Sequence, residues 1–280
     1  MGDLMQGKRG LVMGVANHNS IAWGAAKALS DQGAEVALTY QGDAFGRRVK
    51  PLAEEIGSKL VIPCDVEDTA SLDAVFKTLK DEWGSIDFVL HAIAFSDKSE
   101  LKGLYANTTR ENFTRTMVIS CFSFTEVARR AAEIMGNGGS MVTMTYGGSV
   151  RVMPNYNVMG VAKAALEASV RYLAADFGPR NIRVNAVSAG PVRTLAGAGV
   201  SDARLMFNYQ RRNAPMRRNT TIEEVGGAVL YLMSELANGV TGEIHYVDSG
   251  YNVMSMPALD ELKAQEQRKA MVEGEDDAES

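Results

Sequence analysis

The chain is poor in several features at once. It has 2 cysteines in 280 residues, too few for a disulfide framework. Cys64 and Cys121 both sit in apolar runs and read as buried thiols of a reducing cytosol. No apolar run is long enough to span a bilayer, so no stable membrane association is expected. Positive charge is not in excess: the formal net charge is -5 and the pI is near 5.4, without the basic footprint of a nucleic-acid binder. The acidity is local. Residues 273–280 hold five acids and no base, and removing their -5 from the total of -5 leaves the rest at zero. Asp3 and Gln6 interrupt the opening before a strand begins, so no signal peptide is expected and a cytoplasmic placement follows. No metal site is expected, and there is no internal repeat and no linker.

Against those absences stands a regular alternation of strand and helix. Short apolar runs at 8–14, 35–40, 60–66, 86–90, 140–145, 182–188 and 243–248 read as strands. The segments between them read as helices, among them 20–29, 71–83, 110–135 and a long one that carries Lys163 and continues to about 177, where Gly178-Pro179 stops it. The strands are continuous apolar runs, as a sheet covered on both faces requires. The expected fold is α/β: a single-domain Rossmann-type doubly wound parallel sheet of about seven strands, with right-handed crossovers. That domain is expected over 1–257, followed by a polar helix and a disordered acidic tail over 258–280. The stretch around 193–219 has weak periodicity and reads either as a mobile lid or as an ordinary surface excursion.

The first half reads as dinucleotide-binding machinery with parts missing. Gly14 ends the first strand, and Ser20 is placed to cap the next helix. A strand, a glycine turn and a helix N-terminus make an anion seat. Of a G-x-G-x-x-G pattern only Gly14 and Gly24 remain. The second strand ends at Tyr40-Gln41-Gly42 with no acid and no adjacent arginine. Gln41 can bond a ribose hydroxyl but cannot neutralise a 2′-phosphate, which favours NADH over NADPH; alternatively it is a solvent-exposed turn residue. Asp65 is placed either to accept from an adenine amine, with Val66 packing on the ring, or to cap the helix that begins near Asp68. Small residues at Ala92 and Ala94 would let backbone approach a ribose. Thr220 or Thr221, with a glutamate three residues on, starts another helix.

The chain is organised around residues 145–163. This stretch leaves an apolar strand, crosses a glycine turn and enters a long helix. Tyr156 and Lys163 lie seven residues apart, close to two helical turns, so both fall on one face. A tyrosine and a cation on one face suit an oxyanion developing beside a nicotinamide. Tyr146, at the strand exit, is placed either to donate a second hydrogen bond or to shape the pocket.

The order of elements and the Tyr156/Lys163 pair resemble the short-chain dehydrogenase/reductase superfamily. Over roughly residues 5–257 the chain resembles its bacterial NADH-dependent enoyl-[acyl-carrier-protein] reductases. The motifs that carry this are Pro154-Asn155-Tyr156-Asn157-Val158-Met159-Gly160-x-Ala162-Lys163, Ser188-Ala189-Gly190-Pro191-x-Arg193-Thr194-Leu195-Ala196, Thr39-Tyr40-Gln41 and Cys64-Asp65-Val66. Ordinary members of the superfamily carry tyrosine four residues before the lysine and serine on the fifth strand; here Met159 and Tyr146 stand there. Two departures from the narrower family remain: Ala94 replaces a common glycine, and Asp248-Ser249-Gly250 softens Asp-Gly-Gly.

The resemblance implies reduction of trans-2-enoyl thioesters of acyl carrier protein by NADH, giving NAD+, in a homotetramer. It implies catalytic roles for Tyr156, Lys163 and Tyr146. Cofactor contacts are implied for Gly14, Ser20, Ile21, Gln41, Asp65, Val66, Ile93, Lys163 and the run Val192, Arg193, Thr194, Leu195, Ala196. Phe95, Ser96, Met159 and Met206 would line the acyl channel, with core filling the alternative for Met159. Arg204, Arg211 and Arg212 would either meet the acidic carrier protein or form a solvated face. The rival readings are a carbonyl-reducing enzyme of the same fold, against which Met159 counts, and an NAD(H)-binding protein without turnover, against which the retained tyrosine and lysine count.

Overall fold

The computed structural model describes residues 2–194, 203–264 and 266–267. Strands and helices alternate along the chain as β1 (Arg9–Met13), α1 (Ile21–Asp31), β2 (Glu35–Tyr40), α2 (Gly42–Glu55), β3 (Val61–Pro63), α3 (Thr69–Trp83), β4 (Phe88–His91), α4 (Arg110–Met117), α5 (Ser123–Ile134), β5 (Gly139–Thr145), α6 (Asn157–Phe177), β6 (Ile182–Ala189), α7 (Ala203–Asn213), α8 (Ile222–Met233) and β7 (Ile244–Val247). The strands form one seven-stranded sheet in the order β3-β2-β1-β4-β5-β6-β7. Every neighbouring pair is parallel. The chain runs outward from β1 to β3, then returns to lay β4 against the other side of β1. That reversal opens a crevice at the carboxyl ends of β1 and β4, where sheets of this kind bind ligands.

All four residues of β4 and all eight of β6 are buried. Alternation along β1 divides the core into two layers. Leu11 and Met13 pack with Leu72 of α3, Phe124 of α5 and Leu166 of α6. Val12 faces the opposite way and packs with Leu29 of α1, Val49 of α2 and Val229 of α8.

The local differences from expectation have identifiable causes. The helix expected over 110–135 is two helices joined by a π-helical turn, Val118–Phe122. The wider turn sits where Ser120 engages the loop after β4: its hydroxyl accepts from the Phe95 N–H and donates to the Phe95 carbonyl, both at 2.9 Å. Asp65 does not cap α3. Asp68 does, accepting the Ala70 N–H at 2.9 Å. At α8 the cap is Thr221, in a reciprocal capping box with Glu224. Helix α6 ends at Phe177, as Gly178-Pro179 predicts.

Of the expected lid, residues 203–213 form α7, whereas 195–202 lie outside the described residues. Beyond Met256, residues 259–264 are helical; residues 268–280, with the whole acidic stretch 273–280, lie outside the described residues. Among the described residues, no helix is long and apolar enough to cross a membrane, and no group of three or more His, Cys, Asp or Glu could hold a metal ion.

Candidate active site

The crevice begins at Gly14, whose φ is 101°. A Cβ there would fall 2.1 Å from the Ala92 carbonyl oxygen, so only glycine lets the turn after β1 meet the loop after β4. Ser20 stands at the N-cap position of α1 but does not cap it. Its hydroxyl turns back and accepts the Ala16 and Asn17 N–H groups at 3.0 and 3.1 Å. This fixes the turn and leaves the first amides of α1, from Ile21 on, uncapped by that side chain. Such amides are a seat for an anion. Gly24 serves another purpose: a Cβ there would lie 2.6 Å from the Ile222 carbonyl oxygen, so it admits α8 against α1.

At the next two strand ends, Gln41 and Asp65 meet directly. Gln41 Nε2 donates to Asp65 Oδ2 at 3.1 Å. Asp65 is held in turn: Oδ1 accepts the Glu67 N–H at 3.0 Å, and its own N–H donates to Ser71 Oγ at 2.9 Å. Gln41 is exposed, as the solvent-turn reading has it, but it is also oriented by a carboxyl group. Val66 is buried in the layer beneath α3, and Ile93 packs partly buried against the same layer. Val192 packs against the other layer, Thr194 donates its N–H to the Val192 carbonyl at 2.8 Å, and the Arg193 guanidinium lies 4.8 Å from the Phe207 ring centroid. Leu195 and Ala196 lie outside the described residues. The glycine turn, the uncapped helix N-terminus and the polar pair at the β2 and β3 ends therefore fit a dinucleotide laid across the carboxyl edge of the sheet.

Beyond β5, the two tyrosines meet each other, and Lys163 is anchored at Met144, two residues before Tyr146. The Tyr146 and Tyr156 rings meet edge to face with centroids 5.1 Å apart, a favoured aromatic geometry. Tyr156 is framed by Asn155 and Asn157, both with positive φ (57° and 33°), a conformation asparagine tolerates better than most residues. Lys163 is 5% exposed and its Nζ donates to the Met144 carbonyl at 2.8 Å. Burial lowers its pKa to about 8. Burial also pushes the Tyr146 hydroxyl up to about 12, and raises the Tyr156 hydroxyl well above the usual phenol range. Both tyrosines therefore remain protonated donors at neutral pH. Behind the lysine, His91 is fully buried between Thr143 (3.2 Å) and Ser123 (2.9 Å). Burial, then the Lys163 charge, pushes His91 down to about 3, so it is neutral.

The four proposed channel residues are placed unequally. Met159 is buried with Leu101 and Val158, and Tyr156 packs against this cluster. Phe95 is 41% exposed under the Arg115 guanidinium, 4.6 Å from its ring centroid. Met206 is half-buried on α7. Ser96 is buried, with its hydroxyl accepting from Thr116 Oγ1 at 2.9 Å and Asn112 Nδ2 at 3.2 Å, so it anchors the loop. Of the three arginines, Arg212 pairs with Glu261 at 3.5 Å, while Arg204 and Arg211 are exposed.

Several residues that shape the site carry no sequence motif. Asn157 Nδ2 donates to the Glu100 and Gly103 carbonyls at 3.2 and 3.3 Å, tying the start of α6 to the loop opposite. Glu167 is buried and accepts from Thr145 Oγ1 at 2.7 Å. Asn157 offered one signal, an asparagine beside a catalytic candidate at a helix start. Ser120, Asn112 and Glu167 offered none, because their partners lie far away in sequence.

Comparison with known proteins agrees with this geometry. The family model described as Enoyl-(Acyl carrier protein) reductase matches residues 14–252. The chain is 70% identical over 263 residues to enoyl-[acyl-carrier-protein] reductase [NADH] 2 of Rhizobium meliloti (strain 1021), covering 94% of this chain and 98% of that protein. It is 54% identical over 256 residues to the corresponding NADH enzyme of Rickettsia conorii, covering 91% and 98%. A crystal structure of the enoyl reductase of Anaplasma phagocytophilum in complex with NAD superimposes with a TM-score of 0.90 at 57% identity, covering 92% of this chain and 99% of that one. The chain belongs to the enoyl-[acyl-carrier-protein] reductase family of short-chain dehydrogenases/reductases.

Proposed function

We infer that the protein reduces trans-2-enoyl thioesters of acyl carrier protein to saturated acyl thioesters with NADH, the last step of fatty-acid elongation. The observation that carries this reading is the pair of edge-to-face tyrosines beside a buried Lys163, with Met159 rather than tyrosine one helical turn before that lysine. When bound, NADH supplies the hydride for C3 of the substrate. Hydride addition there would send negative charge to the thioester oxygen, and a proton delivered to C2 would then complete the saturated product. Tyr156 donates to that oxygen as the charge develops, so it stabilises the transition state more than the ground state. Tyr146 fixes the Tyr156 ring from its edge. Lys163 turns from the Met144 carbonyl to the nicotinamide ribose hydroxyls, and its cation favours the same developing charge.

Gly14, Ser20 and Ile21 hold the pyrophosphate, and Gln41 and Asp65 hold the adenosine end. The Asp65 carboxyl beside Gln41 opposes a 2′-phosphate, which supports NADH over NADPH. Phe95, Met159 and Met206 border the acyl chain, and α7, the described part of the expected lid, closes over it. Exposed Arg204 and Arg211 meet the acidic carrier protein. Phe113, Phe122, Val161 and Tyr172, all exposed on α4, the π-helical turn and α6, form an apolar face suited to subunit contact in a cytoplasmic homotetramer.

Absorbance of reduced nicotinamide, followed with crotonyl-CoA or a longer enoyl thioester, tests the reading. The expected result is NADH consumption with a saturated product and none with a ketoacyl thioester. A protein that binds NADH but consumes none with any enoyl thioester would overturn it.

A further inference from the structure

Lys163 and Glu167 are both 5% exposed and lie one turn apart on α6. Residues so spaced have Cβ atoms about 5–6 Å apart and face the same way. Consecutive residues at the end of β5 hold them: the Met144 carbonyl accepts from Lys163 Nζ at 2.8 Å, and the Thr145 hydroxyl donates to Glu167 Oε1 at 2.7 Å. A buried cation without a counter-charge neutralises itself by shedding its proton. Other titratable groups also face the lysine, and none supplies that counter-charge at neutral pH. His91 on β4 is neutral between Thr143 and Ser123. Cys121, in the π-helical turn, has its thiol pushed up by burial. Facing Glu167 are the Tyr156 and Tyr246 hydroxyls, both raised by burial first, then by Tyr146 and Glu167 for Tyr156 and by Glu167 for Tyr246. Among the described residues that face Lys163, Glu167 is the source of negative charge.

We propose that Glu167 is a positioning residue for the reduction: the buried counter-charge that keeps Lys163 a cation in the ribose seat. The proposal rests on the assignment of Lys163 to the nicotinamide ribose. Thr145 fixes the carboxyl group by its hydrogen bond, and β5 thereby orients both charges from adjacent residues. Glu167 touches neither substrate nor cofactor in this arrangement; it acts through the lysine.

The test is the pH profile of kcat/KM in the full-length enzyme with NADH and an enoyl thioester. Glu167→Gln keeps the size and an acceptor for Thr145 but removes the charge. Its alkaline limb should move toward lower pH by roughly one unit or more, with activity recovering toward the wild-type value on acidification. An alkaline limb superimposable on wild type would overturn the proposal, as would a uniform loss of kcat at every pH. A second variant leaves Glu167 in place. Lys163→Arg carries a cation that does not titrate in this range, so its residual activity should lack the alkaline limb. A limb that persists would show that it does not belong to residue 163 and would also overturn the proposal. The underlying assignment is tested separately by NADH affinity in Lys163→Met. Unchanged affinity there removes the ribose role, whereas lost affinity with an unmoved Glu167→Gln limb removes only the role of Glu167.

Discussion

The two walls of the crevice are built differently. The wall after β4, residues 92–107, is tied down by polar bonds. Ser120 holds both backbone groups of Phe95, Thr116 and Asn112 hold Ser96, Asn112 accepts the Asp97 N–H at 3.0 Å, and Glu100 accepts from the Thr109 backbone and hydroxyl. Asn157 then joins this wall to the start of α6. The wall after β6 carries α7, which exposes Leu205 (67%) and is held by fewer bonds, most of them near its C-terminal end: Asn213 Oδ1 accepts the Ala258 N–H at 2.8 Å, the Phe207 carbonyl accepts from Asn219 Nδ2 at 3.1 Å, Gln210 reaches the Asp248 carbonyl at 3.4 Å and Arg212 reaches Glu261 at 3.5 Å. One wall is fixed by a dense set of side-chain bonds, and the other offers apolar side chains on a more lightly held helix. The first suits the geometry of the chemical step. The second suits acyl chains of varied length and movement on binding.

Five predictions press on that contrast, from the largest effect down. At the floor between the walls, Lys163→Ala should cost both NADH affinity and turnover by about 100-fold or more together, read by nucleotide fluorescence and steady-state rates. A loss of turnover with unchanged NADH affinity would detach the lysine from the cofactor. Wild-type kcat/KM should fall as pH rises through about 8, where Lys163 sheds its proton. The sign follows from burial, which favours the neutral amine, and a flat profile to pH 10 would contradict it.

On the tied wall, Asn112→Ala removes one bond to the buried Ser96 hydroxyl and the acceptor of the Asp97 N–H. It should destabilise the fold by about 1–3 kcal/mol in denaturant titration and lower kcat more than it raises KM. On the lightly held wall the split should reverse. Met206→Ala should raise KM for long enoyl chains by about 1–2 kcal/mol, a factor of roughly 5–30, with little change in kcat or for crotonyl-CoA. If both variants change the same parameter, the two walls do not divide the work as their bonding implies. Smallest, and at the far end of the crevice, Gln41→Arg combined with Asp65→Asn should narrow the NADH over NADPH preference by about tenfold in kcat/KM.

Much of this architecture was legible in the residues because its signals are local. Continuous apolar runs separated by glycine turns and helix caps give a doubly covered parallel sheet. The seven-residue spacing of Tyr156 and Lys163 predicts a shared helix face, but Tyr156 stands at the N-cap of α6, before Asn157 with its φ of 33°, and only Lys163 lies within the helix. What was not legible depends on partners distant in the chain. Ser20 has the residue type and position of an N-cap, yet its hydroxyl serves the turn before it. Nothing in Val118–Phe122 distinguishes a π-helical turn from ordinary helix; the cause is Phe95, across the crevice. Asp65 and Asp68 are equally good caps on paper, and the bond to Gln41 is visible only once β2 and β3 pair. Glu167 looks like an ordinary helix-surface acid until the helix face that carries it is buried against β5.

The account turns on Tyr156 as the donor to the thioester oxygen. The most direct test is a single-turnover measurement of NADH oxidation by Tyr156→Phe with a saturating enoyl thioester, alongside NADH affinity by fluorescence. The account predicts a rate lower by about 100-fold or more, with NADH affinity within about twofold of wild type. A rate equal to wild type, or equal losses of rate and NADH affinity, would contradict it.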